Sequence, residues 1–89
     1  MTYQTLPLTW QGITFTLAFA PDYLAGVGMA HLEIRSKEPL PVTETGYKSI
    51  FVPKADIADI RIAAALILQT LDMTAKRTGW KRQQQLSLF

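Results

Sequence analysis

The 89 residues contain no cysteine and a single histidine, His31. Without thiols there is no disulfide scaffold and no thiolate metal site, and one imidazole excludes a multi-histidine centre. No Walker loop, dinucleotide-binding glycine pattern or His-Glu-x-x-His occurs, so no cofactor or metal is expected and no enzyme motif is visible. The longest unbroken apolar run, residues 62–68, is far short of the ~20 residues a membrane-spanning helix needs. No charged segment precedes an apolar stretch at the N-terminus, so no signal peptide is expected. These absences predict a soluble cytoplasmic protein that does not enter a membrane.

What is present is a core. Hydrophobic residues make up 48% of the chain, which argues against disorder and for one small folded domain. The net charge of +2 conceals an asymmetry: residues 1–75 carry five basic and seven acidic side chains, while 76–89 carry Lys76, Arg77, Lys81 and Arg82 and no acid. A basic terminal arm suits phosphates or an acidic protein surface, and it equally complements the C-terminal end of a helix.

Alternation dominates the first half. Leu6, Leu8 and Trp10 alternate with Pro7 and Thr9, and Ile13, Phe15, Leu17 and Phe19 alternate with Thr14, Thr16 and Ala18. This is the half-buried strand pattern, with Gln11-Gly12 between the runs to close a hairpin. Pro7 places the first strand at a sheet edge, and Pro21-Asp22 is expected to end the second. A third strand carries Ala30, Leu32 and Ile34 on one face and His31, Glu33 and Arg35 on the other. Residues 36–45 read as a loop, residues 47–52 as a fourth strand, and Pro53 as its end.

The second half reads as one helix over 57–78, with Asp56 as N-cap, Asp59 in a weak capping-box arrangement, and Gly79 at the C′ position. At 100° per residue, Ile57, Ile60, Ala64, Ile67, Leu68, Leu71 and Ala75 form the stripe that packs on the sheet. Ile62, Leu66 and Met73 form a second stripe on roughly the opposite side. It calls either for a cover from the chain's own N-terminal arm or C-terminal tail, or for a homodimer or partner interface. The expected fold is therefore α+β: a four-stranded, mainly antiparallel sheet packed by one long C-terminal helix. Residues 1–79 form the domain and residues 80–89 a basic tail.

Two internal constellations have chemical potential. His31, Glu33 and Arg35 project together and can be read as an acid–base group or as a polar strand face on solvent; without a nucleophile the second reading is favoured. The polar segment 43–49, with Tyr47 and Lys48, offers a contact loop. Trp10, Tyr47 and Lys48 are candidates for stacking on or pairing with nucleic acid, weakly so, against an ordinary loop in which Gly46 takes positive φ.

The chain closes on Gln85, Leu86, Ser87, Leu88 and Phe89. This segment resembles the peptide by which bacterial polymerase and repair proteins dock on the β sliding clamp, whose motif reads Gln-Leu-Ser/Asp-Leu-Phe; all five positions match. The resemblance covers five residues. It implies that Gln85 orients the peptide through its amide, Leu86 fills a shallow site, and Leu88 and Phe89 enter a deep apolar pocket. Lys81 and Arg82 would add steering toward an acidic clamp surface. The same period-two pattern also lets Leu86, Leu88 and Phe89 pack on their own body. The segments 31–34 and 39–49 are similar to small proteins of bacterial plasmids, integrative elements and prophages, which implies a mobile-element context. Together these readings predict a non-enzymatic adaptor of mobile-element DNA metabolism that docks on the sliding clamp. The alternative is a small inhibitor of host defence, an anti-CRISPR or anti-restriction protein, that occludes a defence effector complex.

Overall fold

The computed structural model describes residues 3–82. Four strands follow one another, β1 (Gln4–Trp10), β2 (Ile13–Leu24), β3 (Met29–Ser36) and β4 (Tyr47–Pro53), and the helix α1 (Ile60–Thr78) comes last. The strands form one sheet in the order β1-β2-β3-β4, antiparallel at every pairing. This is the α+β architecture that the alternation and the helical stripe predict. Pro7 lies on an edge strand, where its missing N–H interrupts no ladder to a further strand.

The β1–β2 hairpin turns on Gln11 (φ 47°) and Gly12 (φ 82°). Two consecutive positive φ values belong to the tight hairpin turn whose twist matches that of the strands. Trp10 therefore pairs with Ile13, Leu8 with Phe15 and Leu6 with Leu17, and the large apolar side chains fall on one face.

Pro21-Asp22 does not end β2, contrary to the sequence expectation. The strand runs on to Leu24 through a register shift between Ala20 and Leu24. The last β1 partner is Gln4, opposite Phe19. Pro21 falls where the β2–β3 register is interrupted, and among the described residues no β1 partner pairs with it, so its missing N–H breaks no ladder bond there.

The core lies between one sheet face and α1. Ile13, Phe15, Leu17 and Phe19 of β2 and Ala30, Leu32 and Ile34 of β3 meet Ala63, Ala64, Ile67 and Leu71 of the helix, all buried. The helix packs along β1 and β2. The loop after β3 turns Leu40 fully into the core, with Val42 packed behind it, although its prolines and polar residues had marked it simply as a loop.

The helix begins later than the sequence suggests. Asp56 closes a 3-10 turn over Lys54–Asp56, and the N-cap is Asp59, whose carboxylate accepts from the backbone N–H of Arg61 at 2.8 Å and of Ile62 at 3.1 Å. Ile57 is buried as expected, but it enters the core from extended backbone ahead of the helix. Extended backbone at Ile57 leaves Asp56 no helical N–H groups to cap. Gly79 (φ 71°) closes the helix, with its N–H on the Ala75 carbonyl. Asp59→Ala is expected to cost about 1 kcal/mol, read as a melting temperature lower by about 4–8 °C for a domain of this size.

Candidate functional site

The helix covers only one side of the sheet. Register places Tyr3, Thr5, Pro7 and Thr9, then Thr14, Thr16, Ala18 and Ala20, then His31, Glu33 and Arg35, then Tyr47, Ser49 and Phe51 on the other. No secondary-structure element among the described residues lies over this face. Its central strand β2 carries the smallest side chains, and the larger ones rise on either side.

His31 is the centre of one end. The alternation that put it on this face is right, but the expectation of a solvated strand face fails: His31 is only 4% exposed. Aromatic rings from three other places on the sheet surround it. Phe51 stacks on it at 4.5 Å between ring centroids, Tyr23 lies at 4.7 Å, and Tyr3 meets it edge-on at 5.8 Å. Nδ1 shares a 2.5 Å hydrogen bond with the Tyr3 hydroxyl and Nε2 one with the Ser49 hydroxyl. A hydroxyl both donates and accepts, so the ring is satisfied in either tautomer. Loss of hydration raises the Tyr3 phenol above its ordinary value, and the nearby Glu33 carboxylate adds to the rise. Tyr3 therefore stays a neutral hydroxyl at physiological pH.

At the other end lie the charges. Glu33, its side chain 16% exposed, accepts from Arg35 at 3.1 Å and from the Tyr47 hydroxyl at 3.1 Å. Arg35 is 64% exposed and lies over the Tyr47 ring, 5.0 Å from its centroid. Beside it a shallow cleft of about 490 Å³ is lined by Thr14, Phe15, Thr16, Arg35, Ser36 and Lys37. The three residues proposed for nucleic-acid contact are divided by the structure. Trp10 is buried in the core, Lys48 falls in register with Ile34 on the opposite side of the sheet, and Tyr47 alone is on the open face.

The second helix stripe is where the periodicity put it. Ile62, Leu66 and Met73 are 45%, 39% and 58% exposed. The N-terminal arm does not cover them from Tyr3 onward, because β1 is committed to the sheet edge. At the end of the helix, Trp80 packs against Trp10 with centroids 5.2 Å apart, and the Trp10 indole N–H donates to Asp72 at 2.8 Å. Lys81 lines a cleft of about 340 Å³ with Pro39, Glu44 and Trp80. Arg82 grips Glu38 with two hydrogen bonds of 2.9 and 2.8 Å, and these raise its guanidinium further above its ordinary value. Gln85, Leu86, Ser87, Leu88 and Phe89 lie outside the described residues.

The sequence reading missed the aromatic cluster around His31. A signal for it exists: Phe51 is bulky and out of phase with the core residues Ile50 and Val52, and Tyr47 shares its phase.

Fold and surface together define a small α+β domain in which, among the described residues, no helix or strand covers one face of the sheet. The chain belongs to the KlcB third-domain family, whose model matches residues 3–80. No curated protein and no solved structure matches it. Among the described residues no helix is long and apolar enough to cross a membrane, and no group of three or more acidic or histidine side chains is arranged to hold a metal ion.

Proposed function

We propose that this chain is a non-enzymatic binding module of bacterial plasmid DNA metabolism that docks on the sliding clamp through Gln85, Leu86, Ser87, Leu88 and Phe89. The full five-position match of this segment to the clamp-binding motif carries the reading. The segment lies beyond residues 3–80, which the family match spans, and that family is plasmid-associated.

Titration against purified bacterial sliding clamp tests the proposal. Burying a leucine and a phenylalanine contributes about 1.5–3 kcal/mol each. The double substitution Leu88→Ala, Phe89→Ala is therefore expected to weaken binding by about a hundredfold or more, with an unchanged melting temperature. Absence of wild-type binding at high-micromolar clamp sinks the reading. Unfolding of the double variant would instead assign these side chains to the core.

The exposed row of Ile62, Leu66 and Met73 favours a second reading, in which the helix docks on a defence effector complex and the protein is an anti-CRISPR or anti-restriction inhibitor. Protection of phage in a plaque assay on defence-armed cells, lost on Leu66→Glu, is the expected result there.

A further inference from the structure

We propose that the open sheet face is a binding site for single-stranded DNA, separate from the C-terminal peptide and independent of whether that peptide binds a clamp. Two kinds of group lie along this face. Phe51 is 49% exposed and stacked on His31 by one side, and Tyr47 is 44% exposed beneath the Arg35 guanidinium; aromatic rings and guanidinium planes on a sheet present faces on which unpaired bases stack. A four-stranded sheet is wide enough to hold two or three stacked bases. Ala18 and Ala20 on the central strand keep the floor between the walls low.

With Glu33 paired to Arg35, Lys37 leaves the other end positive by one charge. Arg35 and Lys37 are exposed and border the cleft with Thr14 and Thr16, whose hydroxyls can donate to phosphate oxygens. The one acid there, Glu33, is largely covered and holds Arg35 and Tyr47 in place. Asp22 is exposed but is paired with Lys54. The face thus offers rings for bases and cations for backbone. A duplex keeps its base faces stacked inside, so it cannot use the rings. We take single-stranded DNA as the occupant in keeping with the plasmid association of the family.

Fluorescence anisotropy of the full chain with labelled oligothymidylate of about twelve nucleotides, longer than the face, tests this. Binding is expected with Kd of about 10 μM at low salt, and a slope of log K against log salt of about −1.4, for two phosphate contacts at about −0.7 each on a single strand. Phe51→Ala and Tyr47→Ala are each expected to weaken binding about tenfold, and Phe51→Tyr to restore it. Arg35→Gln with Lys37→Gln should flatten the salt slope, while Lys76→Gln with Arg77→Gln on the helix end should leave affinity within about twofold of wild type. Circular dichroism establishes that each variant is folded.

No binding at about 100 μM, the weak end of non-specific affinity, overturns the proposal. So does a basic-arm variant that abolishes binding while Phe51→Ala does not, since the arm alone would then be the ligand site. Equal affinity for duplex, or tighter binding to oligouridylate, overturns the assignment to single-stranded DNA. A solution dimer that Phe51→Ala converts to monomer makes this face a self-interface and equally overturns it.

Discussion

Gly46→Ala is expected to destabilise the domain by about 4 kcal/mol, a large loss for one substitution, with the melting temperature falling by about 20–30 °C. Gly46 sits at φ +86°, and a Cβ there would stand 2.1 Å from the Ser36 carbonyl oxygen and 3.1 Å from its carbon. Those are backbone atoms of β3, so no side chain can swing aside. The same residue's carbonyl accepts from the Ser36 N–H at 2.7 Å. This contact closes the base of the loop that delivers Leu40 to the core. Alanine therefore faces a conformational penalty, a clash and an opened loop together. Gly28→Ala isolates the first of these, because Gly28 has φ +67° and nothing within 4 Å of its would-be Cβ; it is expected to cost only about 1–2 kcal/mol. Thermal unfolding of the two variants side by side checks the comparison. Equal losses would show that the close approach to Ser36 contributes nothing.

Trp10→Ala is expected to cost a similar amount, about 3–5 kcal/mol. Trp10 is 5% exposed, packs against Trp80 and donates its indole N–H to Asp72. Truncation leaves a cavity under the helix and removes the partner of Trp80. The chain has two tryptophans, so Trp80 becomes the sole emitter and its fluorescence should shift to the red as its cover is lost. Trp10→Phe keeps most of the ring and removes the donor. Asp72 is exposed and returns to water, so that variant should lose only about 1 kcal/mol. A Trp10→Phe loss as large as that of Trp10→Ala would make the hydrogen bond, not the packing, the dominant contribution.

Much of the fold is legible because period two and period 3.6 rarely mimic one another. Ile13, Phe15, Leu17 and Phe19 alternate over a long enough run to fix both a strand and its buried face. Ile60, Ala64, Ile67 and Leu71 recur at helical spacing, and Gly79 marks where the helix stops. The misreadings have local causes. Pro21 breaks a strand only where its N–H has a partner to lose, and partner length cannot be seen from Pro21 itself. Asp56 and Asp59 are both credible caps by residue type, and the backbone at Ile57 decides between them. The cluster around His31 is assembled from Tyr3, Tyr23, Ser49 and Phe51, which share no spacing in the chain. Only register brings them together, so a lone histidine on a strand reads as polar surface. The terminal pentapeptide is the reverse case: its resemblance to the clamp-binding motif is read entirely from consecutive residues.

The strand order also shapes how the chain folds. Each strand pairs with its successor, so each sheet contact closes a short loop and forms quickly. The closure that joins the chain's ends is different: Trp10 and Asp72 are 62 positions apart, and their meeting must wait for hairpin and helix alike. Contacts made after the barrier leave the folding rate nearly untouched and act on the rate of unfolding. Trp10→Ala is therefore expected to speed unfolding more than it slows refolding, which stopped-flow kinetics would read, and equal effects on both rates would place the clasp in the folding nucleus.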